Sequence, residues 1–233
     1  TIIVQTTADT KFEPNETVNV DLTNPTNATI ADNQGVGTIT NDDTAPTITI
    51  NDVSVTEGGQ LIFTVTLSNQ SYQAVTVDFA TSDGTATLAD NDYTQLLTGT
   101  LTFAADTTTL TQTIVVQTTA DTKFEPNETV NLDLSNATNA TIADNQGVGT
   151  IINDDTAPTI TINDVSVTEG GQLIFTVTLS NQSYQAVTVD FSTSDGTAVL
   201  ADNDYTQLTG TLTFAANTTT LPSSRYCKAL GRT

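Results

Sequence analysis

The stretch "LIFTVTLSNQSYQAVTVDF", from Leu61 to Phe79, decides how this chain folds. Leu61, Phe63, Val65 and Leu67 alternate with Thr64 and Thr66, and Val75, Val77 and Phe79 are spaced in the same way. A period of two sends each apolar set to one face of an extended strand, since successive side chains point to opposite sides. No helical period competes with it.

The same pattern recurs in "TITI" (47–50), "TLTF" (100–103), "TIVV" (113–116), "VNLDL" (130–134) and "VGTII" (148–152). Thr, Val and Ile dominate these runs, as a pleated, half-buried surface prefers. Between them lie "EGG", "SDG" and "ADNDY", whose Gly, Asn, Asp and Ser are turn chemistry. Seven short strands with turns at every boundary predict an all-β fold, a seven-stranded antiparallel immunoglobulin-like β-sandwich.

That sandwich is repeated in tandem. Residues 44–95 and 156–207 differ at two positions, Ala80/Ser192 and Thr87/Val199, at an offset of 112. Residues 1–43 match 113–155 at the same offset with five differences: Ile3/Val115, Val20/Leu132, Thr23/Ser135, Pro25/Ala137 and Thr40/Ile152. The expected domains are the C-terminal part of one repeat (1–43), a complete repeat (44–155) and the N-terminal part of a third (156–221). A period this long exceeds the 20–50 residues of solenoid units, so each repeat is expected to have its own core. Past Leu221 the copy breaks into "PSSRYCKALGRT", which holds Cys227 and three of the five basic residues. Residues 222–233 read as an aberrant tail from a frameshift or joining error. Residue 1 opens mid-pattern, without a signal peptide, so the sequence reads as a fragment of a longer protein.

The 233 residues carry 27 acidic and 5 basic side chains, a formal charge of −22. Such a surface repels phosphate backbones and anionic lipid, which argues against nucleic acid and the membrane surface as partners. No run of 18 apolar residues offers direct membrane insertion. The chain has no His, and its single Cys lies in the tail, which excludes Ser/His and Cys/His nucleophile systems, His/Cys zinc sites and disulfides. No enzyme is expected.

Cations are the natural partners, and the acids are placed to meet them. Asp121, Glu125 and Glu128 in "DTKFEPNE" stand at i, i+4 and i+7, which on a helix would stack like charges. Strands on both sides make the segment a loop, so it belongs to one pole of the sandwich. Asp92 in "ADNDY", Glu57 in "TEGG" and Asp154 and Asp155 in "NDD" are expected at that pole too. Of 14 acids in residues 44–155, these seven are half. At about 4 Å each close pair costs roughly 1 kcal/mol in bulk water and about 4 kcal/mol at an effective dielectric of 20. Calcium suits such a cluster, because it takes 6–8 oxygens in flexible geometry. The bland alternative is an acidic chain scattering carboxylates in its loops for solubility alone.

"VSVTEGG", "VDFATSDGTATLADNDY", "TLTF", "DTKFEPNETVNLDLSN" and "GTIINDD" together resemble the Calx-β domain, a module named in sodium/calcium exchangers and common in bacterial surface proteins. The resemblance covers 44–155, with 1–43 and 156–221 as partial copies. It implies the seven-stranded sandwich and Ca2+ held by Glu57, Asp92, Asp121, Glu125, Glu128, Asp154 and Asp155. The partial copies keep Asp9, Glu13, Glu16, Asp42, Asp43, Glu169 and Asp204. Two departures stand out: Ala120, Thr122 and Lys123 thin the acid run around Asp121, and Asn153 opens what is an acid triplet in the exchangers. Asp83 and Gly84 in "DGTA" are expected to shape a turn.

The function expected is a calcium-binding tandem segment of a large secreted or cell-surface bacterial protein. Calcium, the neighbouring repeats and a cell-surface or matrix ligand would be its partners. It would serve as a calcium-stiffened structural or adhesive stalk, with Pro46 and Pro158 limiting the junctions. The alternative is a calcium-sensing regulatory module for an attached domain.

Overall fold

Short runs of β-branched and apolar residues in alternation cannot bury their apolar face alone, so two sheets must close over one core. In a computed structural model of the chain, residues 1–221 and the strand Cys227–Lys228 are described, and the chain folds into two compact units. Apart from that strand, the tail lies outside the described residues.

The first unit opens with an antiparallel pair, β1 (Glu16–Asp21) and β2 (Gln34–Ile39), in which Glu16 faces Ile39. The complete repeat follows, except residues 120–127 and 152–155, which belong to the second unit. One sheet has the order β10-β3-β5-β8, from β3 (Thr47–Ile50), β5 (Gln60–Leu67), β8 (Thr111–Gln117) and β10 (Thr141–Ile142). The other has the order β4-β11-β9-β6-β7, from β4 (Val53–Thr56), β6 (Val75–Asp83), β7 (Gly99–Phe103), β9 (Glu128–Thr138) and β11 (Gln146–Ile152). The seven expected runs all lie in strands, and β4 and β10 are additional.

The extra strand β4 has a clear cause. Asn51 and Asp52 use their side chains as main-chain substitutes: Asn51 Oδ1 accepts from Thr64 N–H at 2.6 Å, on β5, and Asp52 Oδ1 from Val148 N–H at 2.7 Å, on β11. The chain therefore leaves one sheet after Ile50 and joins the other at Val53. In sequence the same Asn-Asp pair looks like a turn.

The alternation of the opening stretch becomes burial. Leu61, Phe63, Val65 and Leu67 face inward against Ile48, Phe103, Ile114, Val116, Val130 and Leu132, while Ile62 points to solvent. The closest approach of the sheets is at β11. A Cβ on Gly149 would stand 2.6 Å from Leu61 Cδ1 and 2.9 Å from Phe63 Cζ. Leu97 has no counterpart in the "QLTG" of the third copy and is 75 % exposed, so the sheet admits the extra residue by turning it outward. From there on, equivalent positions are 111 apart.

The second unit holds the third copy. Here β12 (Ile160–Ile162) pairs with β14 (Val177–Leu179), β13 (Gln172–Leu173) with β17 (Cys227–Lys228), and β15 (Val187–Ser192) with β16 (Thr209–Phe214). Residues 156–221 carry counterparts of β3 to β7 only. Phe175 is accordingly 45 % exposed, whereas its counterpart Phe63 is fully buried.

The Gly149→Ala variant is expected to lose about 1–3 kcal/mol through overpacking against Leu61 and Phe63. Ile62→Thr, on the solvent face, should stay within about 0.5 kcal/mol of the parent. Chemical denaturation of the full chain, followed by circular dichroism, checks both.

Candidate metal centre

The candidate ligands sit at or beyond strand ends, where backbone free of ladder pairing and charged side chains can converge on an ion. Glu57 occupies the turn between β4 and β5. Gly58 has φ 76°, open to glycine without strain, and Gly59 N–H closes on Thr56 O at 3.0 Å. Gly59 O accepts from Thr118 N–H at 3.0 Å and from Thr118 Oγ1 at 2.8 Å, which ties this turn to the end of β8.

Asp92 is buried and helps to build its own loop. Its Oδ2 accepts from Thr87 N–H at 2.6 Å, and its carbonyl accepts from Thr119 N–H at 2.9 Å. In the third copy Asp204 Oδ2 takes Val199 N–H at 3.0 Å. The Thr87/Val199 difference is tolerated because the donor is main chain. Next to Asp92, the Tyr93 hydroxyl donates to Asp83 Oδ1 at 2.6 Å, which gives the "DGT" aspartate a fixed role at its turn. Burial first, and then the Asp83 carboxylate, push the Tyr93 phenol up to about 12.

The loop from β8 to β9 carries the remaining acids. Asp121 is exposed, and its Oδ1 accepts from Lys123 N–H at 2.6 Å. Lys123 and Glu125 form an ion pair with side chains only 11 % and 8 % exposed. Asn153 is the stitch of this region: its Oδ1 accepts from Glu125 N–H at 3.4 Å, its Nδ2 donates to Asp155 O at 3.0 Å, and its own N–H donates to Asn127 Oδ1 at 3.1 Å. The first copy repeats the arrangement with Asn41, Glu13, Asp43 and Asn15. An aspartate could not donate from its side chain, so the departure from an acid triplet has a structural reason.

Two groups of carboxylates lie close within a single unit each: oxygens of Asp121 and Asp155 come within 4.8 Å of each other in the second unit, and those of Asp92 and Glu128 do so in the first. Asp155 Oδ2 is buried without a hydrogen-bond partner. Asp154 is exposed and belongs to neither group. Among the described residues, Asp9, Glu13, Glu16, Asp42, Asp43, Glu169 and Asp204 form no such group. The Asp43 carboxyl, equivalent to Asp155, is nevertheless held above the usual carboxylate range, first by burial and then by the charges of Asp42, Asp9 and Glu13. Every candidate ligand is a hard oxygen, the donor type of calcium rather than of zinc or copper.

Fold and site define a class: an antiparallel immunoglobulin-like sandwich module with carboxylates gathered at its loops. The chain belongs to the Calx-beta domain family, which matches over residues 40–164 and again over 151–222. Among solved structures it is similar to the apo form of the Calx CBD1 domain, at 20 % identity and a TM-score of 0.43 over 48 % of this chain and all of that one. It is also similar to calcium binding domain CBD12 of CALX1.1, at 20 % identity and a TM-score of 0.43 over 75 % of this chain and 73 % of that one. CBD12 from CALX1.2 gives 21 %, 0.43, 79 % and 76 % in the same terms. No curated protein matches the chain. Among the described residues, no helix is long and apolar enough to cross a membrane.

The raised Tyr93 phenol favours the folded state while it stays protonated. Its contribution is complete below the ordinary tyrosine value of about 10 and fades as pH rises through about 12. Denaturation midpoints measured across that window should fall in the parent. Tyr93→Phe should start about 1 kcal/mol lower and lose this part of the slope.

Proposed function

We propose that the chain is a calcium-binding tandem β-sandwich segment of a secreted or cell-surface protein, acting as a calcium-stiffened structural or adhesive stalk. One observation carries the reading: in the second unit the carboxylate oxygens of Asp121 and Asp155 lie within 4.8 Å of each other, and Asp155 Oδ2 is buried without a hydrogen-bond partner. Carboxylates at that spacing repel strongly outside bulk water, and a divalent ion reverses the sign of the interaction. Asp121 and Asp155 would hold one ion, and Asp92 and Glu128 would hold a second. A bound ion supplies positive charge that ties loop ends together. The chain's own part is to present oxygens on turns already fixed by Thr118, Thr87 and Asn153.

Lys123 works against ion binding at its own loop, because its ammonium already partly neutralises Glu125. Asp155 stands three residues before Pro158, so ion binding there bears on a short, proline-limited junction. Affinity in the range of extracellular modules, about 10⁻⁴–10⁻³ M, suits that use. The family's non-catalytic character, together with the missing His, supports a binding role over an enzymatic one.

Calorimetric unfolding of the full chain, with chelator and with millimolar calcium, tests the proposal. Calcium at a hundred times its dissociation constant should add about 2.7 kcal/mol to stability, and Asp155→Asn should remove most of the gain. An unchanged midpoint would leave the acids with a solubility role. Lys123→Met should tighten calcium binding roughly tenfold by isothermal titration, equivalent to about 1.4 kcal/mol.

A further inference from the structure

The acidic loop also carries a phenylalanine that ion binding does not use. Phe12 forms an isolated parallel bridge with Ser71: its N–H donates to Gln70 O at 2.9 Å, and its carbonyl accepts from Tyr72 N–H at 3.0 Å. The Phe12 and Tyr72 rings pack at 6.2 Å between centroids, tilted by 55°. Lys11 pairs with Glu13 on its own loop at 2.8 Å and with Asp106 at 3.0 Å, which holds its ammonium well above the ordinary lysine range. By the sequence offset, Phe12 and Lys11 belong to one copy, and Gln70, Ser71, Tyr72 and Asp106 belong to the next.

The contact occurs twice. Phe124 bridges Ser183, donates to Gln182 O at 2.9 Å and accepts from Tyr184 N–H at 3.0 Å, the same two bonds at the same distances. Asn181 Nδ2 adds a bond to Thr122 O at 3.1 Å. Of the ionic part, Lys123–Glu125 repeats Lys11–Glu13, but the pair reaching into the next copy is not repeated, because the position of Asp106 is taken by Asn217.

We infer that the corner Ser68–Gln73 of each copy is a docking surface for the phenylalanine-bearing loop of the copy before it. Successive copies are thereby clasped by main-chain hydrogen bonds. The partner is another copy of the same repeat, recognised by one bridge that fixes register and one ring that fills the corner. No carboxylate takes part in those two bonds, so the clasp does not rest on the calcium reading. In the Phe12 clasp the Lys11–Asp106 pair adds a contribution that salt screens; in the Phe124 clasp Asn217 removes it.

The chain has five tyrosines, so ¹⁵N-tyrosine labelling of the full chain reports few amides, among them Tyr72 and Tyr184, the donors of the clasp. Hydrogen exchange at both should be slowed, equally in chelator and in millimolar calcium. Phe12→Pro, which deletes one N–H of the clasp, should speed exchange at Tyr72 about tenfold or more while leaving Tyr184 and the Tyr93 signal of the folded core unchanged. Asp106→Asn should keep protection at Tyr72 but remove its salt dependence. Exchange at Tyr72 at the rate of an unstructured amide in the parent chain would overturn the inference. So would protection that appears only with calcium, or a folded Phe12→Pro variant whose Tyr72 exchange is unchanged. The calcium reading stands or falls separately on the unfolding midpoint.

Discussion

Mutual repulsion of carboxylates is the constraint around which this molecule is arranged. A sandwich delivers alternate loops to one end, and when those loops carry acids the end becomes a concentration of like charge. Three responses appear in the structure. Some carboxylates become main-chain acceptors, as Asp92 does for Thr87 and Asp121 for Lys123. Others pair with a cation of the chain itself, Glu125 with Lys123, and Glu13 and Asp106 with Lys11. A third is left as it stands: Asp155 Oδ2 is buried without a hydrogen-bond partner.

The carboxamides make this tolerable. Asn153 and Asn41 each accept one amide and donate to one carbonyl, and so join the acidic loop to the end of the last strand without adding charge. A carboxylate there would have both lost a donor and deepened the repulsion. The thinning of the acids is thus the means by which the loop keeps its shape.

The strands were legible because alternation is a direct consequence of the pleat: Leu61, Phe63, Val65 and Leu67 are buried as a set, and Ile62 is not. The transfer of the chain between sheets at Asn51 and Asp52 was not, since Asn-Asp reads locally as a turn and its two acceptors serve residues 13 and 96 positions away. At the candidate site, strand order gave an expectation of which acids stand in loops. The separation into two groups, and the place of Asp154 outside both, depend on side-chain directions that no local pattern encodes. Phe12 and Phe124 stand in an acidic loop segment with no local signal of a partner, and only Ser71 and Ser183 show where they dock.

The ladder of β1 and β2 pairs Glu16 with Ile39, and that of β9 and β11 pairs Glu128 with Ile151, the same register 112 residues on. Across these two ladders only Val20/Leu132 differs, so little tells a strand of one copy from its counterpart in the next. While several copies are unfolded together, a strand exchanged between neighbours satisfies the same pairings as the correct one, and misassembly of this kind is the characteristic failure of repeat proteins. The order in which copies emerge during synthesis therefore does work that the sequence leaves undone: it lets each copy close before an identical competitor exists.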